Sequence, residues 1–545
     1  MTGDAEQDGR RAAWSRRAFL GAAGAAGTAG ALATGCGPSD GPRRDPGRAP
    51  GAAAPERRAP RAEHDRPGHA DWRLRTAGDG RALPGIEGFA DRVSVTTGEA
   101  FRLHVSCAAR SFRAEAFRMG WYGGALARKV WESPTLRGTR QPGPVIDRAT
   151  YTVSAPWEAS AEVGAAGWPE GAYLIRLTAD GGAQRYVPLT VRSASTRGRL
   201  VLVNAVATWQ AYNTWGGHSL YHGPGGKGDG GNRSREVSCD RPYGGRTGAD
   251  PDDPGDGAGL FLVHERPAIA LAERLGLAPA YVTTMDVERD PALLRGATAV
   301  ITLGHDEYWT QSVFERVRAA RDAGTNIAFL GANASFRRVR LEPTSLGARR
   351  RVVCWRDDWP KDPDRRAGGP PTTSFREPPH AQPEDALTGA LYESNPTTAD
   401  YVVTSPGHWL FAGTGVARGT SFPGLVGPEY DRVNGSDSTP RPIEVIAHSP
   451  LTCRGVRSFA DSAYYTTAGG AGVFATGTMR WVGSIAGRGG HGIDARTAAF
   501  TSRVTENLLR AFAAGPAGRA HPAVDNLDAL DPYVGDPTWT RRDLW

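Results

Sequence analysis

Three polar residues, His305, Asp306 and Glu307, follow the apolar run Ala299–Leu303, which has the character of a buried strand. In an open α/β sheet, ligands bind outside the carboxyl ends of the strands, next to the starts of helices. The apolar spacing predicts a helix from Gln311 to Ala320. The imidazole and the carboxylate of Glu307 are therefore expected at the mouth of a site, while Asp306 should point away and is given no role.

Two other predicted strands end near side chains that suit the same site. The run Leu200–Val203 leads to Tyr212, and the run Asn326–Leu330 leads to Asn333. Because parallel strands end at one edge of a sheet, a phenol and a carboxamide should join the imidazole and the carboxylate. This combination of groups indicates a hydrolytic or metal site.

Several familiar catalytic motifs are missing from the sequence. It contains no Gly-x-Ser-x-Gly elbow at a predicted strand-to-helix turn, no His-Glu-x-x-His pair and no Gly-x-x-x-x-Gly-Lys-Ser/Thr loop. No cysteine stands at a strand-to-helix turn, where it could act as a nucleophile. A simpler interpretation stays open, namely that residues 305–307 only cap a helix, because acidic residues favour a first turn.

The order of elements predicts the fold class. Strands and helices alternate over residues 198–515, which favours an α/β domain with a doubly wound parallel sheet. Residues 71–197 show short alternating runs separated by turns, which predicts an all-β sandwich domain before it. Residues 516–545 look like an irregular tail, so the protein is expected to be multidomain.

The first 70 residues have the composition of a targeting signal and a tether. Residues 1–36 contain the pair Arg16-Arg17 and an apolar run too short to span a membrane, which resembles a Tat-type export signal. A lipobox-like sequence ends at Cys36 and predicts a lipid anchor there, with a plain cleaved signal as the alternative. Residues 37–70 are rich in Pro, Arg and Ala and are predicted to be disordered. The expected location is the cell envelope or the outside of the cell.

Charge and cysteine content narrow the function only slightly. The 545-residue chain has a formal net charge of +7 but no concentrated basic face, so nucleic-acid binding is not favoured. After Cys36, the sequence leaves Cys107, Cys239, Cys354 and Cys453, which could form two disulfides or remain free and buried.

Long motifs in the sequence resemble the N,N-dimethylformamidase large (beta) subunit family. They are Thr208–Tyr221, Ser234–Tyr243, Gly304–Trp309 and Phe329–Asn333, and Phe117–Gly124 is similar to the family's preceding β domain. The resemblance implies a glutamine-amidotransferase-like α/β domain beside a β-sandwich. It also implies a hydrolase that cleaves the C–N bond of a small amide.

The same resemblance implies one mononuclear ferric ion, Fe(III), held by two tyrosinates and one glutamate. Carried over to this sequence, the metal ligands are Tyr212 and Glu307, with Tyr173 as the second tyrosine. Hard oxygen donors suit ferric iron, which would activate a water molecule and polarise the amide carbonyl. Tyr173 and Tyr212 could instead be packing residues of the β-sandwich.

Three further residues take catalytic roles by this resemblance. His305 is the proton carrier, Asn333 donates a hydrogen bond to the developing oxyanion, and Glu429 orients the water or the leaving amine. The simpler alternatives are that Asn333 caps the following helix and that Glu429 is a turn carboxylate.

Two features differ from the formamidase and keep other functions open. This chain supplies no small subunit, and its predicted export differs from a cytosolic solvent-degrading enzyme, so an amide other than dimethylformamide is favoured as substrate. A non-enzymatic cell-surface binding protein that retains the fold is the alternative function, and zinc is the alternative metal. A homo-oligomeric state is left open.

Overall fold

The computed structural model describes residues 62–76, 82–226, 229–245, 258–486 and 493–530. The predicted signal, the lipid site at Cys36 and most of the predicted tether lie outside these residues. No helix in the described ranges is long and apolar enough to cross a membrane. All the described residues belong to one compact unit, Arg61–Trp545.

The N-terminal part of this unit contains two facing β-sheets and a separate two-stranded sheet of β7 and β8. One has the strand order β1-β3-β9, and the other has the order β2-β11-β10-β4-β5, with β6 paired to β4. Apolar side chains from both sheets form one buried cluster, as expected for a sandwich. The strands are β1 (Ile86–Ala90), β2 (Ser94–Val95), β3 (Ala100–Cys107), β4 (Ser111–Met119), β5 (Ala127–Glu132), β6 (Leu136–Arg137), β7 (Val145–Ile146), β8 (Val153–Ser154), β9 (Ala161–Gly164), β10 (Gly171–Ala179) and β11 (Gln184–Val191).

Strand β10 is buried on both faces, and its alternation decides where each side chain packs. Tyr173, Ile175 and Leu177 belong to the cluster inside the sandwich. Ala172 and Leu174 belong to a different cluster, which the second sheet shares with the following α/β part. Because side chains alternate along a strand, Tyr173 faces the sandwich interior while its two neighbours face the α/β part.

The C-terminal part alternates strands and helices around one large sheet. Its strands are β12 (Leu200–Asn204), β13 (Glu236–Ser238), β14 (Ala280–Thr283), β15 (Ala299–Leu303), β16 (Tyr308–Thr310), β17 (Asn326–Leu330), β18 (Arg337–Thr344), β19 (Gly347–Val353), β20 (Leu391–Ser394), β21 (Ala399–Val402), β22 (Ser421–Val426), β23 (Tyr430–Arg432), β24 (Ile443–Cys453), β25 (Val456–Thr466) and β26 (Gly472–Ala475). Its helices are α1 (Val206–Tyr212), α2 (Ala258–His264), α3 (Arg266–Arg274), α4 (Thr284–Arg289), α5 (Gln311–Asp322), α6 (Asp385–Thr388), α7 (Trp481–Ile485), α8 (Ala495–Ala514) and α9 (Ala517–Ala520). Short 3-10 helices lie at Glu63–Asp65, Ala70–Trp72, Tyr122–Gly124, Trp215–Gly217, Gly230–Asn232, Arg356–Lys361, Pro363–Ala367, Trp409–Phe411 and Leu527–Ala529.

The large sheet has the order β14-β12-β15-β17-β26-β25-β24. The first five strands in this order are parallel to one another. Strand β25 pairs antiparallel with β26, and β24 pairs antiparallel with β25. Apolar clusters cover both faces, which agrees with the continuous apolar runs of the strands. The chain passes from β12 outward to β14 and then returns to the other side of β12 to form β15. The direction of winding therefore reverses between β12 and β15, and such a switch point is where open α/β sheets bind ligands.

Several segments outside the large sheet are more ordered than the sequence indicates. Glu63, in the predicted tether, accepts hydrogen bonds from Tyr122 and Arg128. In the predicted tail, α9 packs against α8 and Ala523 is buried.

Within the described part of the chain, Cys107, Cys239, Cys354 and Cys453 are all free and buried, so the two-disulfide alternative is wrong for this structure. The sequence also missed a small sheet of order β13-β19-β18-β16 beside the large one.

Candidate active site

The carboxyl ends of the parallel strands bring five of the six predicted site residues together. Tyr212 ends α1 after β12, while His305 and Glu307 follow β15. Asn333 follows β17, and Glu429 lies between β22 and β23, where its carbonyl accepts a hydrogen bond from the amide of Met479 beyond β26. The predicted convergence of these side chains at one edge of the sheet is therefore present.

A tight loop brings a second tyrosine onto Tyr212. Gly216 has φ +79°, and a Cβ there would stand 2.4 Å from a methyl group of Val153. The turn lets the chain fold back, so that the amide of Leu220 donates to the carbonyl of Ala211 at 3.0 Å. As a result, the ring of Tyr221 stacks on the ring of Tyr212 with 4.5 Å between centroids.

Three oxygen atoms form a nearly equilateral triangle at the centre of the site. The hydroxyl of Tyr212 lies 2.9 Å from Glu307 Oε2 and 2.9 Å from the hydroxyl of Tyr221, which lies 2.7 Å from the same carboxylate oxygen. Octahedral oxygens about 2.05 Å from a small cation are about 2.9 Å apart. The triangle thus has the dimensions of one face of such an octahedron.

The opposite side of the site carries the groups predicted to move protons. His305 Nε2 lies 2.8 Å from the Tyr212 hydroxyl, and His305 Nδ1 lies 3.8 Å from Glu429 Oε2. Asn333 Nδ2 donates to the same Glu429 oxygen at 2.9 Å. Asn333 Oδ1 is buried and has no hydrogen-bond partner among the described residues, so this acceptor is available to a ligand.

Burial and mutual charge set the protonation of these groups. Burial raises the pKa of Glu429 to about 7. Burial by itself would lower the pKa of His305, but the carboxylates of Glu429 and Glu307 raise it above its ordinary value. Burial favours neutral Glu307, yet His305 and Arg337 outweigh it and lower the pKa of Glu307. Glu307 is therefore the ionised acceptor, while the carboxyl of Glu429, with a pKa of about 7, can take up or release a proton near neutral pH.

The two tyrosines need a further positive charge to ionise. Burial, followed by the charge of Glu307, raises the pKa of Tyr212 well above its ordinary value, and the same two causes act on Tyr221. A bound cation would favour both phenolates, since a metal ion is the largest local charge in its site.

Polar contacts between neighbouring loops hold Glu307 in position. The hydroxyl of Thr208, on α1, accepts hydrogen bonds from the amides of Glu307 and Tyr308 at 3.1 and 3.3 Å. The amide of Arg337 donates to the carbonyl of Glu307, and its Nε lies 3.6 Å from Glu307 Oε1. The loops after β12, β15 and β17 are thereby held together around the carboxylate.

A buried guanidinium holds the loop that carries the two tyrosines. Arg241, fully buried, donates to the carbonyls of Ser238, Trp215, His218, Gln210 and Asn213 at 3.0–3.3 Å. Its N–H donors thus join carbonyls of α1 and β13 to carbonyls of the tight turn.

The structure does not bring Tyr173 to the site, which corrects its predicted role as an iron ligand. Its hydroxyl donates to the carbonyl of Pro169 at 2.5 Å, and its ring stacks on Trp168. The alternation of β10 turns it into the sandwich, away from Glu307. Tyr221 occupies the place of the second tyrosine, and its position in the motif Thr208–Tyr221, after two glycines, was the signal that could have identified it.

The structure also contradicts the helix-capping interpretations of residues 305–307 and of Asn333. His305–Glu307 do not cap a helix, because α5 begins at Gln311 and its N-cap is Thr310, whose hydroxyl accepts from the amide of Val313. Asn333 caps no helix, since the chain continues from it into β18. Glu429 does lie in the loop between β22 and β23, but its side chain is only 12% exposed and accepts a hydrogen bond from Asn333, so it is also part of the site.

Sequence reasoning expected two tyrosine donors, and the residue it missed is Tyr221, which lies beside Tyr212 and Glu307 where Tyr173 was expected. Within the described ranges, no group of three or more His, Cys, Asp or Glu side chains could hold a metal ion. A cation at this site would depend on the oxygens of Tyr212, Tyr221 and Glu307, and their triangle fits a small cation that prefers oxygen donors.

The fold and the site define a β-rich protein of several sheets, with an oxygen-lined site at the carboxyl ends of parallel strands. The sequence model described as N,N-dimethylformamidase beta subunit-like, C-terminal, matches residues 113–495, more than half of the 545-residue chain. The chain belongs to this N,N-dimethylformamidase beta subunit-like family. The family resemblance stated from the motifs is thereby confirmed.

Comparisons with individual proteins add little to this assignment. No curated protein matches the chain. Among solved structures, a Paenibacillus sp. cycloisomaltooligosaccharide glucanotransferase complexed with cycloisomaltoheptaose matches at 11% identity and a TM-score of 0.14. That alignment covers 24% of this chain and only 18% of the glucanotransferase, and it carries no argument about fold or function.

Proposed function

We propose that the protein is an amidohydrolase that cleaves the C–N bond of a small amide at the switch point of its parallel sheet. The observation that carries the proposal is the triangle of Tyr212, Tyr221 and Glu307 oxygens, with the pair His305 and Glu429 beside it. Family membership supports the same class of reaction. The finer assignment to a glutamine-amidotransferase-like fold is part of the proposal and is supported by the strand order of the sheet.

Tyr212, Tyr221 and Glu307 would hold a ferric ion. When bound, such an ion supplies positive charge that polarises an amide carbonyl and makes water a stronger nucleophile. Zinc is the alternative metal, although two phenolates and a carboxylate suit a harder, more highly charged cation better.

The chain's own residues supply the proton transfers. His305 lies between the Tyr212 oxygen and the carboxylate of Glu429, so it can accept at Nε2 the proton that the attacking water releases and pass the Nδ1 proton to Glu429. Glu429, with its pKa raised to about 7 by burial, can receive that proton and give it to the leaving amine. Asn333 fixes Glu429 through Nδ2, and its carboxamide can hydrogen-bond the reacting amide.

The substrate class follows from what the site offers. The side chains of the site can contact a carbonyl, a water molecule and a leaving nitrogen. We infer a small amide as the substrate and favour one other than dimethylformamide. Export by the Tat route and a lipid anchor at Cys36 remain part of the proposal, since these residues lie outside the described ranges.

The test combines metal analysis, the visible spectrum and turnover of the full chain purified from a host that exports it. We expect about one iron per chain, a visible tyrosinate-to-iron absorption band, and release of amine from a panel of formamides and acetamides. Glu429→Gln should retain iron and lower turnover by roughly 10²- to 10⁴-fold. A colourless, metal-free and inactive wild-type protein would overturn the proposal and favour the non-enzymatic binding protein.

A matched pair of variants tests the ligand set. Tyr221→Phe should lose the visible band and most of the iron, because it removes one corner of the triangle. Tyr173→Phe should keep both, because its hydroxyl contacts only the Pro169 carbonyl among the described residues. The reverse result would restore Tyr173 as the ligand, and zinc in place of iron in the wild-type protein would revise the metal.

A further inference from the structure

Tyr221 has two neighbours that the proposed reaction does not use. The hydroxyl of Tyr308 donates a hydrogen bond to the hydroxyl oxygen of Tyr221 at 2.7 Å. The guanidinium carbon of Arg356 lies 4.5 Å from the centroid of the Tyr221 ring. Both contacts are directed at the same phenol.

Each neighbour is held firmly in place. Tyr308 is fully buried in β16, and its amide is bonded to Thr208. Arg356 donates from Nη1 to the carbonyl of Leu220 at 3.0 Å, next to Tyr221 itself. Arg356 also has φ +53°, in the left-handed region that a non-glycine residue adopts only when its surroundings enforce it.

Tyr212 has no such surroundings. The described contacts of its hydroxyl are to Glu307, Tyr221 and His305, and no described guanidinium lies over its ring. The hydroxyls of Tyr212 and Tyr221 therefore lie at similar distances from Glu307, but their other neighbours differ. Their electrostatic environments differ, since one faces an imidazole and the other a phenol donor and a permanent cation.

We propose that Tyr308 and Arg356 are positioning residues that stabilise the negative charge of the Tyr221 phenolate and so make the two tyrosines unequal ligands. A hydrogen bond to a charged oxygen is shorter and stronger than one between neutral groups. A guanidinium beside the ring draws electron density in the same direction. Tyr221 then becomes the weaker electron donor of the two tyrosines. This inference rests on the proposed function, because it needs a cation on the triangle.

Optical spectra and iron retention of the full chain test the inference independently of turnover. Removing a hydrogen-bond donor raises the energy of the filled phenolate orbital, so Tyr308→Phe should move the tyrosinate-to-iron band to longer wavelength. Arg356→Met should move it in the same direction. Each should weaken iron retention against a competing chelator by about 10-fold, at the lower end of the effect of losing an outer-shell partner.

Two control variants show whether removing any buried tyrosine hydroxyl, or any guanidinium that lies over an aromatic ring, changes the absorption band and the iron retention. Tyr186→Phe removes a buried hydroxyl that contacts the Trp72 carbonyl, and Arg365→Met removes a guanidinium that lies 4.4 Å from the Trp359 ring. Neither should change the band or the iron content. Arg356→Lys, which keeps the charge, should restore part of the retention.

The outcomes are distinguishable from failure of the proposed function. If the wild-type protein has no iron and no band, the proposed function itself fails. If the wild-type band is present, and Tyr308→Phe and Arg356→Met leave it unshifted with iron retention within about twofold, the inference is wrong. If Tyr308→Phe does not fold by circular dichroism, Arg356→Met alone decides.

Discussion

Gly331 and Gly304 allow the two strands that carry the site to end in direct contact. A Cβ at Gly331 would stand 1.5 Å from the carbonyl oxygen of Gly304 and 2.4 Å from its carbonyl carbon. Gly304 itself has φ +51°, and a Cβ there would stand 2.4 Å from the Cβ of His264. Gly331→Ala is therefore expected to force apart the strand ends that lead to His305 and Asn333.

The size of the effect follows from which atoms must move. Overpacking typically costs about 1–3 kcal/mol, and the cost is highest when the obstructing atoms are backbone, because no rotamer change relieves the clash. We therefore expect a loss of about 3 kcal/mol or more. If roughly 450 residues unfold together at about 2.1 cal/mol/K per residue, this loss lowers Tm by about 3 °C.

Calorimetry and hydrogen exchange of the purified protein test this expectation. Exchange should accelerate in the loops after β15 and β17, and amide hydrolysis should fall with it. Gly164→Ala is the matched control, since no described atom lies within 4 Å of a Cβ there and its φ is not in the left-handed region. Replacing this strand glycine should leave Tm unchanged or raise it by up to about 1 °C, given a gain of about 0.5–1 kcal/mol. If Gly331→Ala melted and exchanged like the wild-type protein, the close approach of the two strand ends would be refuted.

Two other perturbations have defined signs. Arg241→Met should destabilise the protein by roughly 3–5 kcal/mol, because it leaves buried carbonyls without donors. As a control, Arg365→Met removes an exposed arginine and should change stability by less than about 0.5 kcal/mol. Thermal melts measure both variants, and equal Tm values would contradict the role of Arg241. Burial, with a smaller contribution from the charge of His521, lowers the pKa of His408 to about 3 in the folded protein. In the unfolded chain the pKa of histidine is about 6.5. Between about pH 3 and pH 6.5, therefore, the imidazole of His408 is protonated only in the unfolded state. Stability should therefore fall by about 2 kcal/mol from pH 7 to pH 5, and His408→Asn, measured by urea unfolding at both pH values, should lose that part of the pH dependence. An unchanged pH dependence in this variant would assign the effect to other groups.

The parallel strands were predictable because buried strands have continuous apolar runs that need no tertiary information to be recognised. Leu200–Val203 and Ala299–Leu303 have this composition, and each is followed by a polar residue of the site. The small sheet of β13, β16, β18 and β19 was not predictable in the same way. Its strands are short or rich in Arg, and they are stabilised by pairing with partners distant in sequence.

The positions of the tyrosines also depend partly on local sequence and partly on tertiary packing. The motif around Tyr212 determined that a phenol follows β12, and parallel strand ends then required it to lie near Glu307. The sequence places Tyr221 in the motif of Tyr212, but it does not show which of Tyr173 and Tyr221 has its hydroxyl next to Glu307. The tertiary structure decided between them: alternation along a doubly buried strand turned Tyr173 into the sandwich, and a turn at Gly216 folded Tyr221 back onto Tyr212.

The sequence by itself thus determined the classes of elements, the family and most of the groups at the sheet edge, because these depend on local composition and strand direction. Only the tertiary structure decided the triangle of oxygens, the pairing of His305 with Glu429 and the contacts of Tyr308 and Arg356 with Tyr221. Those depend on the packing of loops that are distant in sequence, and their distances are set by backbone contacts that no local pattern records.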